Sequence, residues 1–269
     1  MADPASEAPR PGGSRSKSAR LAFMADTVNR DGAVTVEILA NQLEVSRMTV
    51  HRDLDELQRR GVLRKVRGGA SAHRSAQFES DLPFRSMSAV REKQAMARTA
   101  AVLASEGDVV IVDDSTTALE VVPHLVRRAP ITVITNFLLV IQAVEGKPDT
   151  SLIALGGEYV PRYRAFLGRV CELALYELYA DVLFASSSAL QGLDVYHQDQ
   201  RVVAVKRAMM RASRRRVLMM DHTKIGHGAL HRLGSVAEFT HVVVDAEVDD
   251  ATVKGLSDAG VEVLVAPSS

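Results

Sequence analysis

Cysteine occurs once in these 269 residues, at Cys171, so no disulfide can form within the chain and a reducing cytoplasm is the expected home. Net charge is also missing. The 33 Lys and Arg cancel 33 Asp and Glu, which argues against general adhesion to polyanions. No apolar run is long enough to cross a bilayer, and the longest, "ITVITNFLLVIQAV", is interrupted. The opening "MADPASEAPRPGGSRS" lacks the apolar stretch of a signal peptide, and residues 1–16 are expected to form a disordered tail. No G-x-G-x-x-G follows any strand-like run, so nicotinamide and flavin have no support and no cofactor is expected. The tract "DHTKIGHGALH" carries His222, His227 and His231 but no glutamate in the zincin pattern. Gly226 and Gly228 make it a loop, and no metal site is expected.

What is present is unevenly placed. Residues 17–70 hold ten Lys and Arg against seven Asp and Glu, whereas residues 71–269 hold 21 against 24. A small basic part and a larger acidic part imply two domains, with a polyanion as partner of the first only. In that part Leu21, Met24, Ala25 and Val28 recur at helical spacing before Gly32, a stop signal. Thr35 is placed to cap a second helix, "VEILANQL", with Ile38, Leu39 and Leu43 on one face. Ser46 is placed to cap a third that ends at Gly61. Val50, Leu54 and Leu57 face inward on this third helix and leave Arg47, Met48, His51 and Arg52 outside, near its start. A helix, a short turn and a second helix with a basic start is the shape that enters a major groove. The stretch "VLRKVRGG" then reads as a short basic β-ribbon, a wing. On this reading Arg47, Met48 and His51 read bases, while Thr49, Arg52, Arg64, Lys65 and Arg67 meet phosphates of double-stranded operator DNA. Asp53 is expected to pair with a neighbouring arginine.

The stretch from Val45 to Gly69 resembles the DeoR family of bacterial transcriptional regulators, whose pattern is met by Val45, Ser46, Thr49, Val50, Arg52, Asp53, Leu54, Leu57, Gly61, Leu63, Arg64, Gly68 and Gly69. His51 stands where members commonly have a second arginine.

After a linker at 71–85, the remainder (86–269) opens with a helix in "RSMSAVREKQAMARTAAVLASEG" and then alternates β-rich and helical runs. The strands are "VVIVD", "ITVIT", "SLIAL", "VLFAS", "RVLMMD", "HVVVD" and "VEVLVA", with helices at 116–128, 137–145, 166–179, 199–213 and 249–259. Such alternation implies an α/β fold with a mostly parallel, doubly covered sheet, whose ligands sit at the carboxyl ends of strands. Those ends are polar. "DDSTT" supplies Asp113, Ser115, Thr116 and Thr117, with free backbone N–H groups at a helix start that suit a phosphate. Asn136, Gly156 and Gly157, and Asp221 with Lys224 follow later strands, and Lys206 lies in a helix. Together they describe a site for a small anionic ligand. Cys171 reads as a core residue of an amphipathic helix.

The resemblance covers this half too, through Glu92–Lys93, Asp113 with Thr116–Thr117, Thr135–Asn136, Leu155–Gly156–Gly157, Gly168, Lys206–Arg207 and Asp221 with Lys224. It implies a sugar-phosphate sensor similar in fold to ribose-5-phosphate isomerase and the CoA transferases. Ser115 stands where the family has glycine, Asp114 adds a charge beside it, and "GLDVYHQDQ" lacks a customary threonine. A repressor of carbohydrate genes under a phosphorylated-sugar effector is the resulting expectation, as a homodimer or homotetramer with no membrane partner. The alternative is an isomerase-like or CoA-transferase-like enzyme using Asp113, Asp114 or Asp221, although fold similarity does not transfer chemistry.

Overall fold

The structure, a computed structural model, describes residues 16–31, 33–59, 62–66, 68–71 and 82–268; most of the expected tail, most of the expected linker, Gly32, Gly61 and Arg67 lie outside them. The chain divides into two compact units, Met1–His73 and Arg74–Ser269.

The first unit contains α1 (Lys17–Asp31), β1 (Ala33–Thr35), α2 (Val36–Leu43), α3 (Arg47–Arg59), β2 (Arg64–Val66) and β3 (Gly69–Ser71). Leu21, Met24, Ala25 and Val28 of α1 are buried, as are Val50, Leu54 and Leu57 of α3, and the two helices pack together. Both expected caps form: Thr35 Oγ1 accepts from Ile38 N at 3.3 Å and Ser46 Oγ accepts from Thr49 N at 3.1 Å. One expectation fails. The buried stripe of α2 is Val36, Leu39, Ala40 and Leu43, an i, i+3, i+4, i+7 set, so Ile38 falls off it and is 46% exposed. The strands pair antiparallel in the order β1-β3-β2. The double glycine serves two ends here. Gly68 turns with φ +79°, and a Cβ on Gly69 would lie 2.3 Å from Val34 O, so only glycine lets β1 and β3 close.

The second unit begins with α4 (Leu82–Met87), α5 (Val90–Ala101), β4 (Val109–Val112), α6 (Thr116–Leu119), α7 (Val122–Leu125), β5 (Ile131–Thr135), α8 (Leu138–Val144) and β6 (Thr150–Ala154). It continues with β7 (Glu158–Val160), β8 (Ala165–Leu167), α9 (Arg169–Tyr176), β9 (Ala180–Ala185), β10 (Ala189–Gln191), β11 (Asp194–His197) and α10 (Gln200–Arg211). Last come β12 (Ser213–Met220), β13 (His231–Ser235), β14 (His241–Val244), α11 (Asp250–Asp258) and β15 (Glu262–Val265). The seven expected strands form one parallel sheet in the order β15-β14-β12-β9-β4-β5-β6. Consecutive residues of β4, β9 and β14 are buried, so both faces of the sheet are covered. The order in which strands are added reverses between β4 and β9, with β5 and β6 on one side and β12, β14 and β15 on the other. In a sheet of this kind that is the switch point, where the carboxyl ends leave a crevice for ligands.

Some helices differ from expectation. The helix expected from Arg85 is two, because Ala89 adopts φ +49° between α4 and α5, and α4 begins inside the expected linker. The span 116–128 breaks into α6, α7 and a 3-10 turn, with Pro123 at the start of α7. The hairpin β7–β8 and the antiparallel sheet β10-β11-β13 were not read from the sequence.

Candidate functional site

In the first unit the outer side of α3 carries Arg47, Met48, His51 and Arg52, all exposed, with Met48 at 69%. Thr49 is half-buried, its hydroxyl 2.9 Å from Ser46 Oγ. Arg64 and Lys65 lie on β2 of the wing, and Arg67 falls outside the described residues. Arg47 faces Glu37 at 3.3 Å and Lys65 faces Asp55 at 2.6 Å. Exposed pairs of this kind are worth at most about 1 kcal/mol, so a phosphate can displace them. Asp53 is different: it is buried and takes a hydrogen bond of 2.5 Å from Arg20 Nε of α1. It latches one helix to another instead of facing DNA.

In the second unit polar groups gather where the strand order reverses, between β4 and β9. Asp113 follows β4 and is fully buried. Its Oδ1 accepts from Ser115 N at 2.9 Å, and its Oδ2 accepts from Ser186 N, beyond β9, at 3.0 Å and from Lys206 Nζ. Lys206 Nζ also meets Asp114 Oδ1 at 2.9 Å. One ammonium on α10 thus serves two carboxylates. Lys224 Nζ reaches Thr117 Oγ1 at 3.0 Å, Ser186 Oγ at 3.2 Å and Asp221 Oδ2 at 2.9 Å. From α5, Lys93 Nζ reaches Thr116 Oγ1 at 3.1 Å and the Arg85 carbonyl, while Arg85 Nη1 donates to Asp114 O at 3.1 Å. Ser115 needs no glycine-like backbone. With φ −93° it caps α6 by accepting from Ala118 N at 3.0 Å. The loop's N–H groups are therefore less free than expected, since those of Ser115 and Ala118 are used internally.

Burial sets the electrostatics. It opposes the Lys206 ammonium, but Asp113 and Asp114 outweigh it and hold the pKa above the ordinary value. Burial likewise opposes the Asp221 carboxylate, yet Lys224 and Lys93 pull it down to about 2. Lys93 has no such compensation. Burial and then the nearby Lys224 lower it to about 7, against smaller opposing effects of Asp221 and Glu120 and a further lowering by Arg85. His222 moves the other way, to about 9, through its hydrogen bond to Asp245, with burial opposing and Asp245, Glu247 and Asp221 assisting by charge.

These last two groups act oppositely on stability. Between pH 7 and 10.5 the unfolded chain holds a proton on Lys93 that the folded chain has released, so stability climbs with pH. His222 stabilises fully below pH 6.5, and that contribution is lost as pH rises toward 9. Relative to the parent protein, Lys93→Met is therefore expected to shift the change in melting temperature from pH 7 to 9 toward a fall, and His222→Gln to shift it toward a rise. Calorimetry across that window checks both, and parallel responses would contradict the assignment.

Residues 20–76 match the DeoR-like helix-turn-helix domain and residues 88–246 match the DeoR C terminal sensor domain. The chain belongs to the DeoR family. It is similar to the lactose phosphotransferase system repressor of Staphylococcus aureus strain N315, with 30% identity over 237 residues covering 87% of this chain and 94% of the relative. It is 29% identical over 224 residues to the L-fucose operon activator of Haemophilus influenzae, covering 83% and 90%. Among solved structures, ribose 5-phosphate isomerase A from Methanocaldococcus jannaschii aligns with a TM-score of 0.37 at 14% identity, over 49% of this chain and 53% of that one.

Within this DeoR-family regulator, hydrogen bonds and ion pairs link Asp113, Ser115, Thr117, Lys206, Asp221 and Lys224 into one network through Ser186, and join Thr116 to Lys93. Asn136 follows the neighbouring strand and is tied to β8 by its bond to Phe166 O at 3.0 Å. Gly156 and Gly157 lie one strand further out and are exposed. A Cβ on Gly157 would meet Leu167 O at 2.5 Å, so that glycine is needed for packing against β8. Lys93 stood out in the sequence only through the resemblance, Arg85 and His197 were not singled out, and Ser186 is the first residue of the polar "SSS" that closes the fourth expected strand. Lys93 had a readable signal: four residues before Ala97, it shares the buried Ala face of α5. Cys171 is buried in α9 with its thiol pushed up to about 12 by burial and Asp114, which leaves it a core group. His222, His227 and His231 spread over a 3-10 turn, a loop and β13, and no cluster able to hold a metal ion occurs among the described residues. No described helix is long and apolar enough to cross a membrane.

Proposed function

We propose that this DeoR-family regulator represses carbohydrate-metabolism genes and is switched by a phosphorylated sugar bound at the reversal between β4 and β9. One observation carries the reading. Two lysine amino groups from separate elements, Lys93 and Lys224, are held against the consecutive hydroxyls of Thr116 and Thr117. Lys93 feels Lys224 as a like charge that lowers its pKa, so an anion seated between them favours its protonated form. A phosphate has the charge and the acceptors for all four groups. The relatives named for lactose and L-fucose systems favour a sugar as its carrier.

DNA is bound through Arg47, Met48 and His51 on bases and through Thr49, Arg52, Arg64, Lys65 and Arg67 on phosphates. Two half-sites call for a homodimer or homotetramer working where the chromosome lies, in the cytoplasm. Sensing suits the site better than catalysis. Asp113 spends both oxygens on two backbone N–H groups and Lys206, which leaves no poised base there.

The test is release from DNA. Fluorescence anisotropy of the full chain on duplexes from the region flanking its own gene is expected to change on adding a hexose or pentose phosphate, whereas Lys224→Met needs at least tenfold more. Equal responses of the two proteins would remove Lys224 from the anion site, and no response to any sugar phosphate would remove the reading.

A further inference from the structure

The site holds groups that a phosphate cannot use. Asp114 is 2% exposed, its Oδ1 is taken by Lys206, and its Oδ2 has no hydrogen-bond partner among the described residues. Asn136 is fully buried. Its Nδ2 donates to Phe166 O, which fixes the amide orientation and leaves Oδ1 as a second buried acceptor with no partner among the described residues. His197 is 5% exposed and lies against Tyr163 with the rings tilted at 55° and their centroids 6.1 Å apart. Its Nδ1 accepts from Asp199 N at 3.1 Å, so the neutral ring carries its proton on Nε2 and can donate there. Burial and the adjacent Lys206 depress its pKa to about 3, which keeps it neutral.

We infer that the end of the effector remote from its phosphate is held by Asp114, Asn136 and His197, and that this end carries hydroxyl groups. The inference rests on the reading of the same site as a phosphate sensor. Buried acceptors left alone are costly, and a native site that retains two of them is matched to donors from a ligand. Asp114 Oδ2 and Asn136 Oδ1 offer a phosphate oxygen no donor, whereas Lys93 and Lys224 do, so the two ends of the ligand are told apart and it enters in one direction. Hydroxyls also accept, which gives the Nε2–H of His197 its partner. Asp114 thereby becomes a specificity residue of this chain, beyond its pairing with Lys206.

Titration calorimetry on the full chain with inorganic phosphate, propyl phosphate, ribose, ribose 5-phosphate, glucose 6-phosphate and galactose 6-phosphate tests this. At least one aldose phosphate is expected to bind at least tenfold tighter than propyl phosphate. Asp114→Ala and His197→Phe should each cut that ratio to threefold or less without weakening inorganic phosphate, and His197→Gln, which keeps a donor, should retain most of it. A merely structural role would weaken every probe alike and overturn the inference. Aldose phosphates no tighter than propyl phosphate would overturn it while leaving the phosphate reading intact. Ribose binding as well as ribose 5-phosphate would support it and remove the phosphate reading instead, and failure of every probe would remove both.

Discussion

Replacing Lys206 by Met is expected to lower the melting temperature of the sensor unit by on the order of 10 °C. The reasoning starts from burial. Lys206 is 2% exposed, Asp113 is fully buried and Asp114 is 2% exposed, and the single ammonium pairs with both carboxylates. Taking away one partner of a buried pair costs roughly 3–5 kcal/mol, because the charge left behind has lost its solvent without compensation. For a domain of this size each kcal/mol moves the midpoint by about 2–4 °C. Here two carboxylates are stranded. Asp113 retains the N–H groups of Ser115 and Ser186, so Asp114 becomes the worse placed of the two. Asp114→Asn added to Lys206→Met should therefore recover part of the loss, although Asp114→Asn alone should destabilise. That reversal of sign is the diagnostic result. If both substitutions simply add, the three groups do not form one network. The loss should be felt across β4 and β9 together, since Asp113 is the group that ties their carboxyl ends at the reversal of the sheet.

The same residues explain what could be read without a structure. Runs such as "VVIVD" and "HVVVD" are strands buried on both faces, so they appear as continuous apolar stretches closed by a polar residue, and all seven were recognisable. The polar residue closing a strand then marks its carboxyl end, which is why Asp113, Asn136 and Asp221 were found. Groups that reach the site from elsewhere lacked such a marker. Lys93 is marked only by its place on the buried Ala face of α5, a weaker sign than a strand end, and Arg85 comes from a stretch that looked like a polar linker. His197 belongs to a four-residue strand of a small antiparallel sheet, too short for alternation to stand out. Ile38 shows the limit of a two-turn helix. With eight residues, a stripe through Val36, Leu39, Ala40 and Leu43 and one that includes Ile38 fit the sequence about equally, and only the packing of β1 and α3 against α2 decides.

Arg52→Ala should weaken binding to every duplex, whatever its sequence, and should flatten the dependence of affinity on salt. A side chain on phosphate displaces condensed counterions, and each neutralised phosphate contributes about 0.9 to the slope of log K against log salt on duplex DNA. Arg52 is exposed on α3, on the side of that helix away from the buried Val50, Leu54 and Leu57. If one protomer occupies the duplex the slope should fall by about 0.9, and if a dimer does it should fall by about twice that, so the same titration also counts protomers. Two other substitutions bracket the result. Met48→Ala should alter preference among bases and leave the slope alone, because Met carries no charge to exchange with counterions. Asp53→Asn should lower the melting temperature of the first unit by releasing Arg20 from its buried partner, with the salt slope of the still-folded protein unchanged. A wild-type slope in Arg52→Ala, measured by anisotropy between 50 and 200 mM salt, the range over which phosphate contacts dominate, would take Arg52 off the DNA backbone and leave the wing to carry the electrostatic share alone.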